Sequence, residues 1–286
     1  LGLRTPLQAA LEVLKERHEK AKALCRKLVK SCAEVRGAER LYASSRLVAD
    51  DEAATLGMIL RTKGLPRLQE LYLRSNGFGD AAMHVLCEGL GRGAAPSLRI
   101  LSLADNKFGP AGAEALAAAL GRGAFPKIDM LSLGRNPIGN QGATALASPL
   151  RKLPAFQALL LDCCEICDEG VASLVDNLGK DDFKKLEILH LSHNQITDAG
   201  MVKIVAAIDA GGLPKIHQIC LGGNPASGAA CRAVSDAVAK RIFACGMQST
   251  AASNADADSD SDSDGIETDS FDDEDDEVDQ AEEPED

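Results

Sequence analysis

Apolar residues fall along most of this chain in one recurring pattern, Leu-x-x-Leu-x-Leu-x-x-Asn, whose copies begin at Leu68, Leu98, Ile128, Phe156, Leu186 and Ile216. The intervals are 30, 30, 28, 30 and 30 residues. A further step of 30 back reaches Ala38, where Leu41, Ala43, Arg46 and Val48 fill the same slots of a degraded first copy, making seven units. Alternation such as Leu101-x-Leu103 predicts a short strand with one buried face. Asn76, Asn106, Asn136, Asn194 and Asn224 close five of these strands, with Cys164 in that slot of a sixth. A tight corner leaves inward-facing backbone groups without partners, and a short amide or thiol can satisfy or fill that position. Phe78, Phe108, Ile138, Ile166 and Ile196 follow two residues later, and Gly112, Gly142, Gly170 and Gly200 open the second half of their units. That half predicts a helix, with Ala115, Leu116, Ala119 and Leu120 at three- and four-residue spacing.

One strand and one helix are too little to bury either face alone, so each unit needs stacked copies of itself. Strands pair about 4.8 Å apart while helices need about 10 Å between axes, so such a stack bends toward its strands. The pattern resembles the ribonuclease-inhibitor class of leucine-rich repeat proteins. That resemblance implies an α/β horseshoe solenoid of about seven repeats, with a parallel inner sheet and outer helices, over residues 38–248.

The ends differ from the array. Residues 5–36 read as one helix, in which Thr5 can cap, Pro6 suits the first turn and Gln8 completes a capping box. Leu7, Leu11, Leu14, His18, Ala21, Cys25, Leu28, Cys32 and Val35 trace a coiled-coil-like seam with weak central residues. Residues 1–37 are therefore expected to cover the open end of the stack as a helix or helix pair, in a monomer; dimerisation through the seam is the other reading. Residues 249–286 carry 18 Asp or Glu and no Lys or Arg, so removing those 18 from the net charge of −12 leaves +6 on the rest. Like charges without aliphatic periodicity predict a disordered acidic tail. Ser253, Ser259, Ser261 and Ser270 each precede an acidic residue by three positions, the pattern of acid-directed kinases.

Composition narrows the function classes. The tail would repel nucleic acid and acidic membranes, so neither is expected as a partner. No apolar run reaches the length of a membrane span, and the N-terminus lacks the regions of a signal peptide. Nine cysteines without a disulfide framework suggest free thiols and a cytoplasmic or nuclear location. Because the chain begins with Leu1, it reads as processed or as a fragment.

Residues between the strand leucines should face the concave sheet. One column runs Tyr72, Ser102, Ser132, Leu160, His190 and Cys220; the column before the corner runs Ser75, Asp105, Arg135, Cys163, His193 and Gly223; Arg74, Asp162 and Ser192 lie before that. This sparse, mixed face suits a protein partner and offers no deep pocket. Cys164-x-x-Cys167 has metal-ligand spacing but lacks a second pair, and His190, Cys220, His193 and His217 make only a weak cluster, so neither a metal nor another cofactor is expected. Catalysis in its own right is likewise not expected, since no phosphate loop, dinucleotide fingerprint or nucleophile elbow occurs.

Repeats of this class followed by an acidic tail, with Leu103-Ala104-Asp105-Asn106-Lys107-Phe108-Gly109-Pro110 and Gly134-Arg135-Asn136, resemble the GTPase-activating proteins of the GTPase Ran. The resemblance implies a small-GTPase partner, Arg135 and Asn136 as the residues that assist hydrolysis, and Arg74 and Asp105 as neighbouring contacts. Asp162, His190 and His193 complete the expected partner-binding set. Other readings of the same layout are an effector-sensing or actin-directed scaffold, and an acidic-tailed binder of histones or phosphatases.

Overall fold

A computed structural model describes residues 6–28, 31–47, 50–62, 65–88, 90–179 and 181–244. The expected acidic tail, and with it the kinase-type serines, lies outside the described residues, as do Thr5 and Val48. Two helices, α1 (Pro6–Lys27) and α2 (Cys32–Gly37), precede seven strand–helix units: β1 (Arg40–Tyr42) and α3 (Asp50–Arg61), β2 (Glu70–Tyr72) and α4 (Asp80–Cys87), β3 (Ile100–Ser102) and α5 (Pro110–Gly121), β4 (Met130–Ser132) and α6 (Gly139–Arg151), β5 (Ala158–Leu160) and α7 (Asp168–Val175), β6 (Ile188–His190) and α8 (Asp198–Asp209), β7 (Gln218–Cys220) and α9 (Gly228–Ala244). The strands form one parallel sheet in sequence order. Leu41, Leu71, Leu101, Leu131, Leu159, Leu189 and Ile219 stand in register from end to end. This is a leucine-rich repeat solenoid with helices outside the sheet, and the degraded first copy forms a true rung.

The single N-terminal helix expected from sequence is two. Ser31 starts α2 with a capping box: its Oγ accepts from Glu34 N at 3.2 Å, and its own N–H donates to Glu34 Oε2 at 2.7 Å. That arrangement requires extended backbone at Ser31, which ends helical continuity. Only the last part of the seam is buried: Leu24, Cys25, Leu28 and Val35 join the core, whereas Leu11 and Leu14 stay exposed.

The strand residue before each corner takes the left-handed conformation in all seven units, at Ser45, Ser75, Asp105, Arg135, Cys163, His193 and Gly223, with φ between 53° and 71°. The corner asparagine then bridges two rungs. Asn106 Oδ1 accepts from the N–H groups of Asn76 and Phe78 at 3.0 Å, while its Nδ2 donates to Leu73 O at 3.0 Å and Leu103 O at 2.8 Å. Asn76 does the same for Arg46 and Leu47, and Asn194 for Cys164 and Ile166.

A second ladder ties the helices. The residue opening one helix caps the next: Asp80 Oδ1 accepts from the N–H groups of Gly109 and Gly112, Asn140 Oδ1 from Cys167 and Gly170, and Asp168 Oδ1 from Thr197 and Gly200. The recurrence of glycine at these starts has a steric cause. A Cβ on Gly112 would lie 2.7 Å from Phe108 Cβ and 2.8 Å from the capping Asp80 Oδ1.

The fourth corner departs from the pattern. Asn136 Nδ2 reaches Leu103 O and Leu133 O, but its buried Oδ1 has no partner. Pro137 has no N–H to give the neighbouring rung, α6 begins one residue early relative to α5, and Gly139 turns left-handed at φ 58°. In the next unit Cys164 Sγ can give only long contacts, 3.5 Å to Leu133 O and 3.4 Å to Asp162 O.

Candidate protein interface

The period-2 backbone sends the central residue of each strand into the core and its two neighbours to the concave surface. Register then places residues 30 apart side by side. At the N-terminal end Tyr42 and Tyr72 stack, with centroids 5.0 Å apart and planes within 6°. Glu70 braces this pair: its Oε1 lies 3.1 Å from Arg40 Nε, and its Oε2 accepts from Tyr72 OH at 3.2 Å. Burial, helped by the Glu70 charge, pushes the Tyr72 phenol up to about 12, so it remains a donor. One rung on, Ser75 Oγ donates to Asp105 Oδ2 at 2.6 Å. Along the edge before the strands, Arg99 grips the buried Asp129 carboxylate through Nε at 2.7 Å and Nη2 at 2.6 Å. These pairs fix rotamers on a surface a partner would meet, lowering the entropy lost on binding.

At the C-terminal end His190 and Cys220 are direct cross-strand partners. His190 Nδ1 lies 3.8 Å from Asp162 Oδ2, and Asp162 Oδ1 accepts from Ser192 N at 3.1 Å. Gln218 Nε2 lies 3.3 Å from His190 Nε2 and 3.5 Å from Cys220 Sγ.

The residues expected to form the interface are therefore spread over several rungs. Asp162 and His190 meet. Asp105 pairs with Ser75, and exposed Arg135 stands on the rim one rung beyond. Arg74 is half-buried on the rung before. His193 lies over Gly223, whose missing side chain makes room for the ring. Asn136 requires correction: it is fully buried at the corner, with its amide spent on core-facing carbonyls, so it presents nothing to a partner on the surface. Cys164 is likewise buried as a corner residue, and among the described residues no group of three or more His, Cys, Asp or Glu side chains is placed to hold a metal ion. Tyr42, Glu70, Arg99, Asp129 and Gln218 carry no motif of their own, and only their spacing of 30, or two within a strand, places them in contact.

Comparison with known proteins places the repeat. The family described as Leucine Rich repeat matches residues 94–117, 130–147 and 184–205. The matched segments fall on three of the seven strand–helix units and agree with the leucine-rich repeat solenoid described above. No match was found among curated proteins. Among solved structures, the chain is similar to actin-binding site 2 of leiomodin-1, with 10% identity over 68% of this chain and 90% of that one and a TM-score of 0.43. It is also similar to the Arabidopsis receptor kinase HAESA, with 19% identity over 68% of this chain and 36% of that one and a TM-score of 0.32. An internalin from Listeria monocytogenes matches with 15% identity over 75% of this chain and 92% of that one and a TM-score of 0.28.

Proposed function

We propose that this chain is a protein-binding scaffold whose partner is a small GTPase of the Ran type, contacted along the concave rim by Arg74, Asp105 and Arg135, and that it stimulates that partner's GTP hydrolysis. The observation that carries the reading is the fourth corner. A native chain keeps few buried polar atoms without partners, and each calls for an explanation. The unpaired Asn136 Oδ1 follows Arg135 in the segment Gly134-Arg135-Asn136 that carries the resemblance to Ran activators. Arg135 itself holds a left-handed backbone at φ 59°, where Gly223 shows the residue that backbone preference alone would select. Six rim side chains are retained against that preference.

On this reading the protein contributes position and charge to the GTPase's own catalytic arrangement and supplies no nucleophile. Single-turnover GTP hydrolysis by a purified Ran-type GTPase, with and without saturating protein, tests it. Acceleration that is lost in Arg135→Ala and Asp105→Ala supports the reading. An unchanged hydrolysis rate overturns the GTPase assignment and leaves a scaffold for another protein partner on the same rim.

A further inference from the structure

Of the thiols in the described residues, one sits in a setting that the interface reading does not use. Cys87 and Cys164 are buried among apolar groups, which raises both to about 12, and burial likewise takes Cys25 to about 11. These are inert at neutral pH. Cys220 is half-buried on the concave face of β7, with His190 of β6 opposite it in register, Gln218 two residues back on the same face and Asp162 beyond the imidazole.

We infer that Cys220 is a nucleophilic modification site, with His190 as its proton partner and Asp162 positioning that imidazole, and that it takes low-molecular-weight disulfides. Three groups from three successive rungs converge there, at 3.8 Å between His190 Nδ1 and Asp162 Oδ2, 3.3 Å between His190 Nε2 and Gln218 Nε2, and 3.5 Å between Gln218 Nε2 and Cys220 Sγ. A thiol beside an imidazole passes its proton to the ring at the cost of a much smaller charge separation than in isolation. The Asp162 charge, 3.8 Å from Nδ1, favours the charged ring, and the Gln218 amide, which donates to Nε2 while the ring is neutral, is left to donate to the sulfur once the ring is protonated. The electrostatics agree in direction. Burial alone would raise Cys220, but hydrogen bonds from His190 and Gln218 overcome it and hold the thiol below its ordinary value. His190 is raised in turn by its hydrogen bond to Cys220, with burial opposing and the charges of Cys220 and Asp162 adding. From the helical side, α9 carries its charges at exposed Arg232, Asp236 and Lys240, and at Arg241, which donates to Gly211 O.

The reaction balances without further reagents. The Cys220 sulfur attacks one sulfur of the disulfide, the old S–S bond breaks as the new one forms, and the departing thiolate takes the proton held by His190. Cys220 is oxidised and half of the disulfide is reduced. The adduct would stand on the last two rungs of the concave sheet. The assignment does not depend on the identity of the protein partner.

The test is alkylation of the full chain with iodoacetamide at pH 6, 7 and 8, with each cysteine peptide quantified by mass spectrometry. Cys220 is expected to react about tenfold faster than exposed Cys32 at pH 7, with its pH profile displaced toward lower pH relative to that of Cys32. His190→Gln should bring Cys220 down to the rate of Cys32, with continued protection of Cys87 reporting an intact fold. If that variant exposes Cys87, Asp162→Asn and the wild-type pH profile decide instead, and Asp162→Asn should shift the Cys220 profile toward higher pH. Oxidised glutathione should then give one adduct, at Cys220, reversed by dithiothreitol. A Cys220 that shares the rate and pH profile of Cys32, that keeps its rate in folded His190→Gln, or that alkylates rapidly yet forms no mixed disulfide overturns the assignment.

Discussion

Asn106 and Asn136 occupy the same slot one repeat apart, yet their environments set different costs for losing them. Asn106 satisfies two buried N–H groups and two or more carbonyls, so Asn106→Ala strands all of them and is expected to cost about 3 kcal/mol. Asn136→Ala removes an amide donor but also an oxygen already without a partner, and should cost about 1 to 2 kcal/mol less. Urea unfolding of the two variants side by side measures the difference; equal losses would mean that the Asn136 carbonyl is satisfied in solution. The left-handed residues give a second comparison. Cys163→Val places a β-branched side chain at φ 53° and is expected to cost about 1 to 2 kcal/mol in the same assay, whereas Cys163→Gly should be neutral or stabilising. Much at this scale was legible beforehand, because the corner Asn, the buried residue two positions on and the strand leucines follow from period alone. What period could not show is which corner fails. That depends on the preceding rung, where the N–H groups of Asn106 and Phe108 do not reach Asn136 Oδ1 as those of Asn76 and Phe78 reach Asn106 Oδ1.

Helices in this chain begin against their predecessors, and this sets how each tolerates change. Asp168 accepts from Thr197 and Gly200 at the start of α8, so Asp168→Ala should cost about 1 to 2 kcal/mol by thermal melting, a loss confined to one junction between units. A Cβ at residue 200 would run into Asp168 Oδ1 and lie 2.6 Å from Ile196 Cγ2, so Gly200→Ala should cost about 2 kcal/mol or more. Gly121, at the end of α5, has nothing within 4 Å of the same atom, and Gly121→Ala should raise stability by about 0.5 to 1 kcal/mol. The repeated glycine was visible in the sequence but its reason was not, since half of the crowding comes from the capping residue of the preceding repeat. The N-terminal segment shows the opposite failure. A seam of apolar spacing suggested one continuous helix, and the local capping box at Ser31 and Glu34 prevailed over it. The concave side chains behave like the glycines: Arg40 with Glu70, Ser75 with Asp105 and Arg99 with Asp129 are each 30 residues apart, so their contacts could be read once the strand register was known.

Across the whole molecule, stability is shared between neighbours, because each repeat touches only the one before and the one after. α1 and α2 close one end with Leu24, Leu28 and Val35, and α9 closes the other with Val234, Ala237 and Val238. Removing residues 228–244 should expose the last core layer and lower the melting temperature, while the repeats farthest from the cut keep their protection in hydrogen exchange; a uniform loss along the chain would contradict a nearest-neighbour stack. The fourth corner bears on the same currency. Asn76 and Phe78 give their amide hydrogens to Asn106, but Asn136 returns nothing to the equivalent amides of Asn106 and Phe108. Those two hydrogens should exchange with solvent far sooner than their counterparts one rung earlier. The strands still pair in full register across that rung, so the fourth corner is a door for water in an otherwise unbroken stack.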